Sequence, residues 1–333
     1  MTATQNPSSD FYSLALPSAV TVFNVTDSLD IAAACKCLND RGFCILRGLF
    51  SNTDIEKVNS QVEQYFASPA IAGAPGYVKV DHAKKLLNPF TLGGPVINLL
   101  LNKRVIEIVE KAMNSECILA ETVVKFDRAS SYTYFPLHSD FSVGWAKASD
   151  SKQKLTQEDL LHPVGIGGAL YLHPTSEGAF CYCDSTHLLM SPYGQKLSKY
   201  PSTEKKAILA RKVRCDGQAG DLVLFDDRGF HGPDQPANAD RTVILLDYYR
   251  VDTVGRVQVS PMPIWSSDIA GLCETQLRVA GCGAKYLVDP LKYTHTRFRN
   301  NFLYGFLSWL VENSYFHSHL KQKLKNYIWR FDE

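Results

Sequence analysis

The chain predicts a mostly β protein with α-helical decorations, built on a double-sheet barrel of jelly-roll type. Three observations carry that prediction. Short runs rich in β-branched and aromatic residues recur between about residues 115 and 250, each bounded by Gly, Pro or Asp. No long crossover helix separates them, so the sheets should be antiparallel. Helical periodicity is confined to the flanks, before about residue 115 and after 284.

Residues 1–20 read as a loose arm. SLDIAAACKCLND (28–40) reads as a helix capped by Ser28, with Ile31, Ala34, Cys35 and Leu38 on one stripe. Gly42 ends it, and FCILRGLF (43–50) reads as a strand. SNTDIEKVNSQVEQYF follows, with Thr53 and Glu56 at capping-box spacing and Ile55, Val58, Val62 and Tyr65 on one face. KRVIEIVEKAM (103–113) is a further amphipathic helix.

The barrel strands are CILAETVVKF (117–126), GGALYLH (167–173), GAFCYCD (178–184), DLVLFDD (221–227) and TVILLDYYR (242–250). Segments 146–164 and 190–206 are polar or Pro/Gly-containing and read as lids over a barrel mouth. The aromatic and basic stretch after 284 reads as a helix on the barrel or at a homodimer seam. A helix lying on a membrane surface is the alternative. The expected organisation is an arm (1–20), one domain (21–255, core about 115–250) and a C-terminal helical extension (256–333).

The 333 residues are 45% hydrophobic, 21% charged and carry a net charge of +1. That is globular composition, with no whole-molecule field favouring nucleic acid. No apolar stretch reaches the ~18 residues that span a bilayer. The N-terminal residues lack a signal-peptide pattern. Nine cysteines, scattered and without C-x-x-C, suit reduced thiols in a cytoplasmic protein.

The chemistry-bearing residues lie in two places. FPLHSDFSVGW (135–145) holds His138 and Asp140 two positions apart. On a strand, residues i and i+2 share a face, so the pair can offer one imidazole nitrogen and one carboxylate oxygen to a single point. Taken alone, the pair is weak evidence for a metal site and reads more readily as a hydrogen-bonded polar couple. GDLVLFDDRGFHGPDQPANADR (220–241) then supplies His231 and, ten residues later, Arg241. If 231 and 241 lie on partner strands of a hairpin, both face the same cavity.

Two His and one carboxylate on one face of an octahedron suit a non-haem Fe(II) centre with three open positions. A buried Arg beside it needs an anion, and its planar fork fits a carboxylate. Asp226 and Asp227 read as turn-shaping residues or partners of Arg228. His173 and His187, near strand ends, are second candidates for supporting roles.

H138-S-D140, EGAFCYCDSTH (177–187) and GDLVLFDD…H231…R241 together resemble the phytanoyl-CoA dioxygenase-like family of Fe(II)/2-oxoglutarate-dependent oxygenases. The order of helix, GFCILRGL strand and helix at the N-terminal end is similar too. The resemblance covers about residues 30–250. It departs from the family at the Pro-Gly of the middle block, and at Pro233, where the family often has Ser.

The resemblance implies a double-stranded β-helix (jelly-roll, cupin-like) core. It also implies iron ligation by His138, Asp140 and His231, with 2-oxoglutarate anchored at Arg241 and Lys125 touching that cosubstrate. Phe135, Phe141 and Trp145 flank the ligands as core residues or as lining of a substrate pocket.

The implied cofactors are Fe(2+), 2-oxoglutarate and O2, and the partner is a small molecule, such as an acyl-CoA, amino acid or natural-product intermediate of secondary metabolism. With Asp140 in place of the vacancy used by related halogenases, hydroxylation with release of succinate and CO2 is the simplest outcome. Desaturation, cyclisation, epoxidation and a lipid-linked substrate stay open. The rival readings are a cupin-like isomerase or hydrolase that does not use 2-oxoglutarate, and a barrel that has lost its chemistry.

Overall fold

The computed structural model describes residues 11, 14–15, 20–24, 31–68, 76–80, 82–87, 89–143, 154–253, 264 and 266–281. All lie within one compact unit, Met1–Tyr286. Trp145, most of the 1–20 arm, the start of the 146–164 segment and the aromatic extension beyond 281 fall outside the described residues.

Two sheets form the core. The larger has eight strands in the order β1 (Val22–Asn24), β2 (Phe43–Arg47), β9 (Leu222–Asp226), β6 (Gly165–Tyr171), β11 (Arg241–Arg250), β5 (Cys117–Asp127), β4 (Ala83–Leu86) and β3 (Tyr77–Val80), and the smaller has three in the order β10 (His231–Pro233), β7 (Thr175–Cys183) and β8 (Lys212–Gly217). The predicted strands are β2 (Phe43–Arg47), β5 (Cys117–Asp127), β6 (Gly165–Tyr171), β7 (Thr175–Cys183), β9 (Leu222–Asp226) and β11 (Arg241–Arg250). Their pairings are antiparallel, as their local connections require. One pairing departs: β1 (Val22–Asn24) lies parallel to β2, reached through helix α1 (Ile31–Arg41).

Besides β1, four short strands escape the sequence pattern. β3 (Tyr77–Val80), β4 (Ala83–Leu86), β8 (Lys212–Gly217) and β10 (His231–Pro233) are brief, and all but β10 are lysine-bearing or partly exposed. Period-2 hydrophobic signal is weak in strands so short.

Alternation divides each strand between two environments. On β11, Ile244 and Leu246 join the outer core, where helices pack on the large sheet, while Val243 faces the smaller sheet. The inner core interleaves Phe43, Ala169, Tyr171, Val223 and Phe225 of the large sheet with Phe180, Tyr182 and Cys215 of the small one. Side chains of both sheets thus fill one end of the jelly roll.

The outer helices are α1, α2 (Asn52–Ala67), α3 (Gly94–Leu100) and α4 (Lys103–Met113). α4 runs over the residues its periodicity predicts and buries Val105, Ile106, Ile108 and Val109. α2 begins earlier than the Thr53–Glu56 spacing suggests, because Ser51 is the cap and its side chain accepts from the Asp54 amide. Within the 190–206 segment, read as a loop, Ser202 opens a short helix, α5 (Ser202–Leu209). All eight described cysteines are free and seven are buried, as small hydrophobes.

Candidate functional site

His231 lies in β10 of the small sheet and Arg241 opens β11 of the large sheet, so the expected hairpin between them does not form. Residues 234–240 cross from one sheet to the other instead. The two side chains still face the same interior, because the sheets face each other.

His138 does not sit in a regular strand either. It bridges His231 through a reciprocal backbone pair: His138 N donates to His231 O at 3.0 Å and His231 N donates to His138 O at 2.8 Å. The Asp140 amide donates to Asp227 O at 2.9 Å. These three backbone bonds fix both segments against β10 and the turn after β9. The juxtaposition that strand alternation was expected to supply comes from this bridge.

The side chains converge. His138 Nε2 is 3.3 Å from Asp140 Oδ1, and His231 Nε2 is 3.3 Å from Asp140 Oδ2. One ligand atom from each of the three residues lies within 4.8 Å of the others, and this is the one such cluster among the described residues. His138 Nδ1 lies 3.1 Å from Pro136 O, and His231 Nδ1 lies 2.9 Å from Gly229 O. A carbonyl can only accept, so each Nδ1 carries the proton and each Nε2 is left to coordinate.

Burial disfavours a charged His138, yet the Asp140 carboxylate raises its pKa above the ordinary value. Burial would likewise raise Asp140, but His231 and His138 hold it well below the usual carboxylate range. A divalent cation would take over the role of those protons.

Beside this cluster lies a second charged group. Arg241 is directly opposite Asp127 on β5, and its Nη2 donates to Asp127 Oδ2 at 2.5 Å, while Nη1 donates to Gly178 O at 2.7 Å. Lys125 Nζ is 2.9 Å from Asp127 Oδ1, and the Tyr134 hydroxyl donates to the same oxygen at 3.1 Å. All three charged residues are buried. Burial lowers the Lys125 pKa below its ordinary value, opposed by Asp127. Arg241 Nε is buried with no hydrogen-bond partner.

Asp127 is a member of this site that the sequence reading missed. Its signal was the Lys125-Phe126-Asp127 spacing, which puts both charges on one strand face.

Phe135 is 39% exposed and stands edge-on to His138 with ring centroids 4.9 Å apart; Lys125 Nζ lies 4.7 Å from the centre of the same ring. Phe141 is buried and packs on Tyr249 in a satellite core, the core role open to it from sequence. A cleft of about 710 Å³ reaches the cluster and is lined by Phe135, Leu137, His138, Asp140, Gln195 and Lys196 among others.

His187 lies apart from the cluster, with Nε2 2.9 Å from Asn39 O, and His173 faces Glu63. Asp226 pairs with Arg228 through both carboxylate oxygens, whereas Asp227 does not.

No family model and no curated protein matches the chain. Solved structures do. EctD from S. alaskensis with bound Fe aligns at 16% identity and a TM-score of 0.52, over 67% of this chain and 77% of that one. SnoN, a non-heme alpha ketoglutarate dependent epimerase from nogalamycin biosynthesis, aligns at 14% identity and a TM-score of 0.51, over 66% and 83%. HygX from Streptomyces hygroscopicus, with nickel and 2-oxoglutarate bound, aligns at 17% identity and a TM-score of 0.46, over 68% and 87%. The jelly-roll core of this chain thus shares its fold with EctD, solved with bound Fe, and with SnoN, a non-heme alpha ketoglutarate dependent epimerase.

Proposed function

We propose that the chain is an Fe(II)- and 2-oxoglutarate-dependent oxygenase acting on a C–H bond of a small molecule. The adjacency of a three-ligand cluster and a buried, net-positive anchor carries this reading. His138, Asp140 and His231 would hold the iron on one face and leave three positions open. Lys125 and Arg241 bring two positive charges against the single negative charge of Asp127, which leaves one carboxylate to be supplied. The orphaned Arg241 Nε marks a donor that such a carboxylate would satisfy. 2-Oxoglutarate offers a keto acid for the metal and a carboxylate for that anchor.

Fe(II) with 2-oxoglutarate and O2 supplies oxidative decarboxylation to succinate and CO2, coupled to oxidation of the substrate. The protein's own share is positional. The carbonyls of Pro136 and Gly229 keep both Nε2 atoms bare and fix the ring planes. Arg241 and Lys125 orient the cosubstrate, and Phe135 covers the exposed edge of His138 and keeps water from it. Hydroxylation is the simplest outcome with Asp140 present. A neighbour of the same fold carries the name epimerase, so the fold itself accommodates more than one outcome.

Anaerobic addition of Fe(II) and then 2-oxoglutarate should produce a weak visible charge-transfer band, which Arg241→Ala removes. A protein that binds the metal but gives no band in any 2-oxoglutarate concentration would favour a cupin-like isomerase or hydrolase.

A further inference from the structure

On the inward face of β11, Arg241, Val243, Leu245 and Asp247 succeed one another. Opposite them on β5 stand Asp127, Lys125, Val123 and Glu121. The row therefore begins with a cationic anchor, passes over Val123 and Leu245, and ends on a pair of carboxylates. Asp247 and Glu121 are direct cross-strand partners, and both are partly exposed. Side chains so paired have Cβ atoms only about 5 Å apart, and like charges there repel.

Neither side chain forms an ion pair or hydrogen bond among the described residues. The charged groups acting on Asp247 are Asp140 and Glu121, both carboxylates. Glu121 senses one lysine, Lys85, and Asp140.

A third carboxyl points into the same place. Asp227 has no exposed surface, and neither of its oxygens makes a hydrogen bond of normal geometry. It occupies the space that side chains would fill on β6: a Cβ on Gly167 would lie 2.5 Å from Asp227 Oδ1, and one on Gly165 would meet Oδ2. Gly167 is the other cross-strand partner of Asp247, so the Asp227 carboxyl lies beside Asp247 on the inner face. Glycine at both positions makes room for it. Burial pushes the Asp227 carboxyl well above the usual carboxylate range, so it keeps its proton until a cation meets it.

We propose that Glu121, Asp247 and Asp227 form the recognition site for a protonated amine on the substrate, on the far side of the metal cluster from Arg241. This rests on the function proposed above and adds the substrate's chemical class: an amine-bearing small molecule. Its apolar carbon skeleton lies over Val123 and Leu245, within reach of the metal position. The occupant is an organic ammonium and not a second metal ion, because these carboxylates do not gather their oxygens at one point as the His138 cluster does. Several spaced acceptors suit a group with several N–H donors.

Cyclohexylamine, cyclohexanol and cyclohexanecarboxylate share a ring and differ in charge. Binding of each to the full-length protein is measured by saturation-transfer NMR. The amine should bind at least about tenfold more tightly than the other two, the worth of one charge-assisted contact. Asp247→Asn and Glu121→Gln should each remove that preference while the far-UV spectrum and melting curve stay cooperative.

Equal binding of all three, binding of none, or a preference that survives both substitutions overturns the proposal. Preference for the carboxylate overturns it as well and points to the cleft bordered by the exposed Lys196 and Lys205. The charge-transfer titration is run in parallel. An amine preference without a band leaves the amine site standing and sinks the oxygenase reading, and a band without the preference does the reverse.

Discussion

Arg241 and Asp127 face each other across the β5–β11 ladder, and the carboxylate that neutralises the guanidinium also holds Lys125. Burial would raise the Asp127 pKa, but Arg241 and Lys125 together hold it below the ordinary range. The same carboxylate competes with any incoming anion. Asp127→Asn should therefore act in opposite directions on the two states. The ligand-free protein loses about 3 kcal/mol, because two buried cations lose their partner. The affinity for 2-oxoglutarate rises several-fold. Thermal melting with and without 2-oxoglutarate reads both effects, and a larger ligand-induced shift in the variant than in the wild type is the expected result.

Metal loading should stabilise the fold through the three convergent ligands. An ion bound to the folded state alone contributes about 2.7 kcal/mol at a hundredfold excess over Kd. Fe(II), or Ni(II) as an air-stable stand-in, should raise the melting temperature, and a chelator should reverse it. Asp140→Ala should abolish the shift, because Asp140 stands within 3.3 Å of both imidazoles and no other described carboxylate joins their cluster. An unchanged shift in that variant would remove Asp140 from the ligand set.

Gly167→Ala tests the crowding of the inner face. The added methyl would overlap the Phe225 ring and press on Asp227. Phe225 packs on His231 with centroids 4.6 Å apart, so a displaced ring tilts a ligand. Overpacking of this kind costs about 1–3 kcal/mol. The expected signature is a drop in metal affinity larger than the stability loss alone explains, measured by metal titration well below the melting temperature.

The residues of the site were legible one by one, and their grouping was only partly so. His138, Asp140, His231 and Arg241 stand out because ligand-type residues recur at short spacing between strong strands. What brings them together was misassigned: a strand at 138–140 and a hairpin at 231–241 were expected, and the structure uses a two-residue bridge and a crossing between sheets.

Asp127, Glu121, Asp227 and Asp247 were not singled out as site residues, because their roles depend on strand register. The same unbroken register that sets Arg241 opposite Asp127 sets Asp247 opposite Glu121, and a pairing between strands so far apart in the chain is not encoded in local patterns. The long strands and α4 were readable because each buries a full hydrophobic face. The short strands β3, β4 and β8 leave half or more of their residues exposed or half-buried.

The Asp226–Arg228 pair gives the fold an acid limit. Both side chains are buried, and Arg228 Nε and Nη2 reach both carboxylate oxygens of Asp226. Burial would raise the Asp226 pKa; Arg228 outweighs it and the folded value lies below the ordinary one. An acid whose folded pKa is depressed contributes stability above its unfolded pKa, near 4, and loses it as pH falls through the folded value. The wild type should therefore lose stability progressively below about pH 4. Asp226→Asn should be less stable at pH 7 by about 3 kcal/mol, because Arg228 keeps its buried charge without a partner. The variant should also have a shallower slope below pH 4, since one proton-linked group has been removed. Urea melts at a series of pH values check both, and parallel acid slopes in the two proteins would show that this pair does not set the limit.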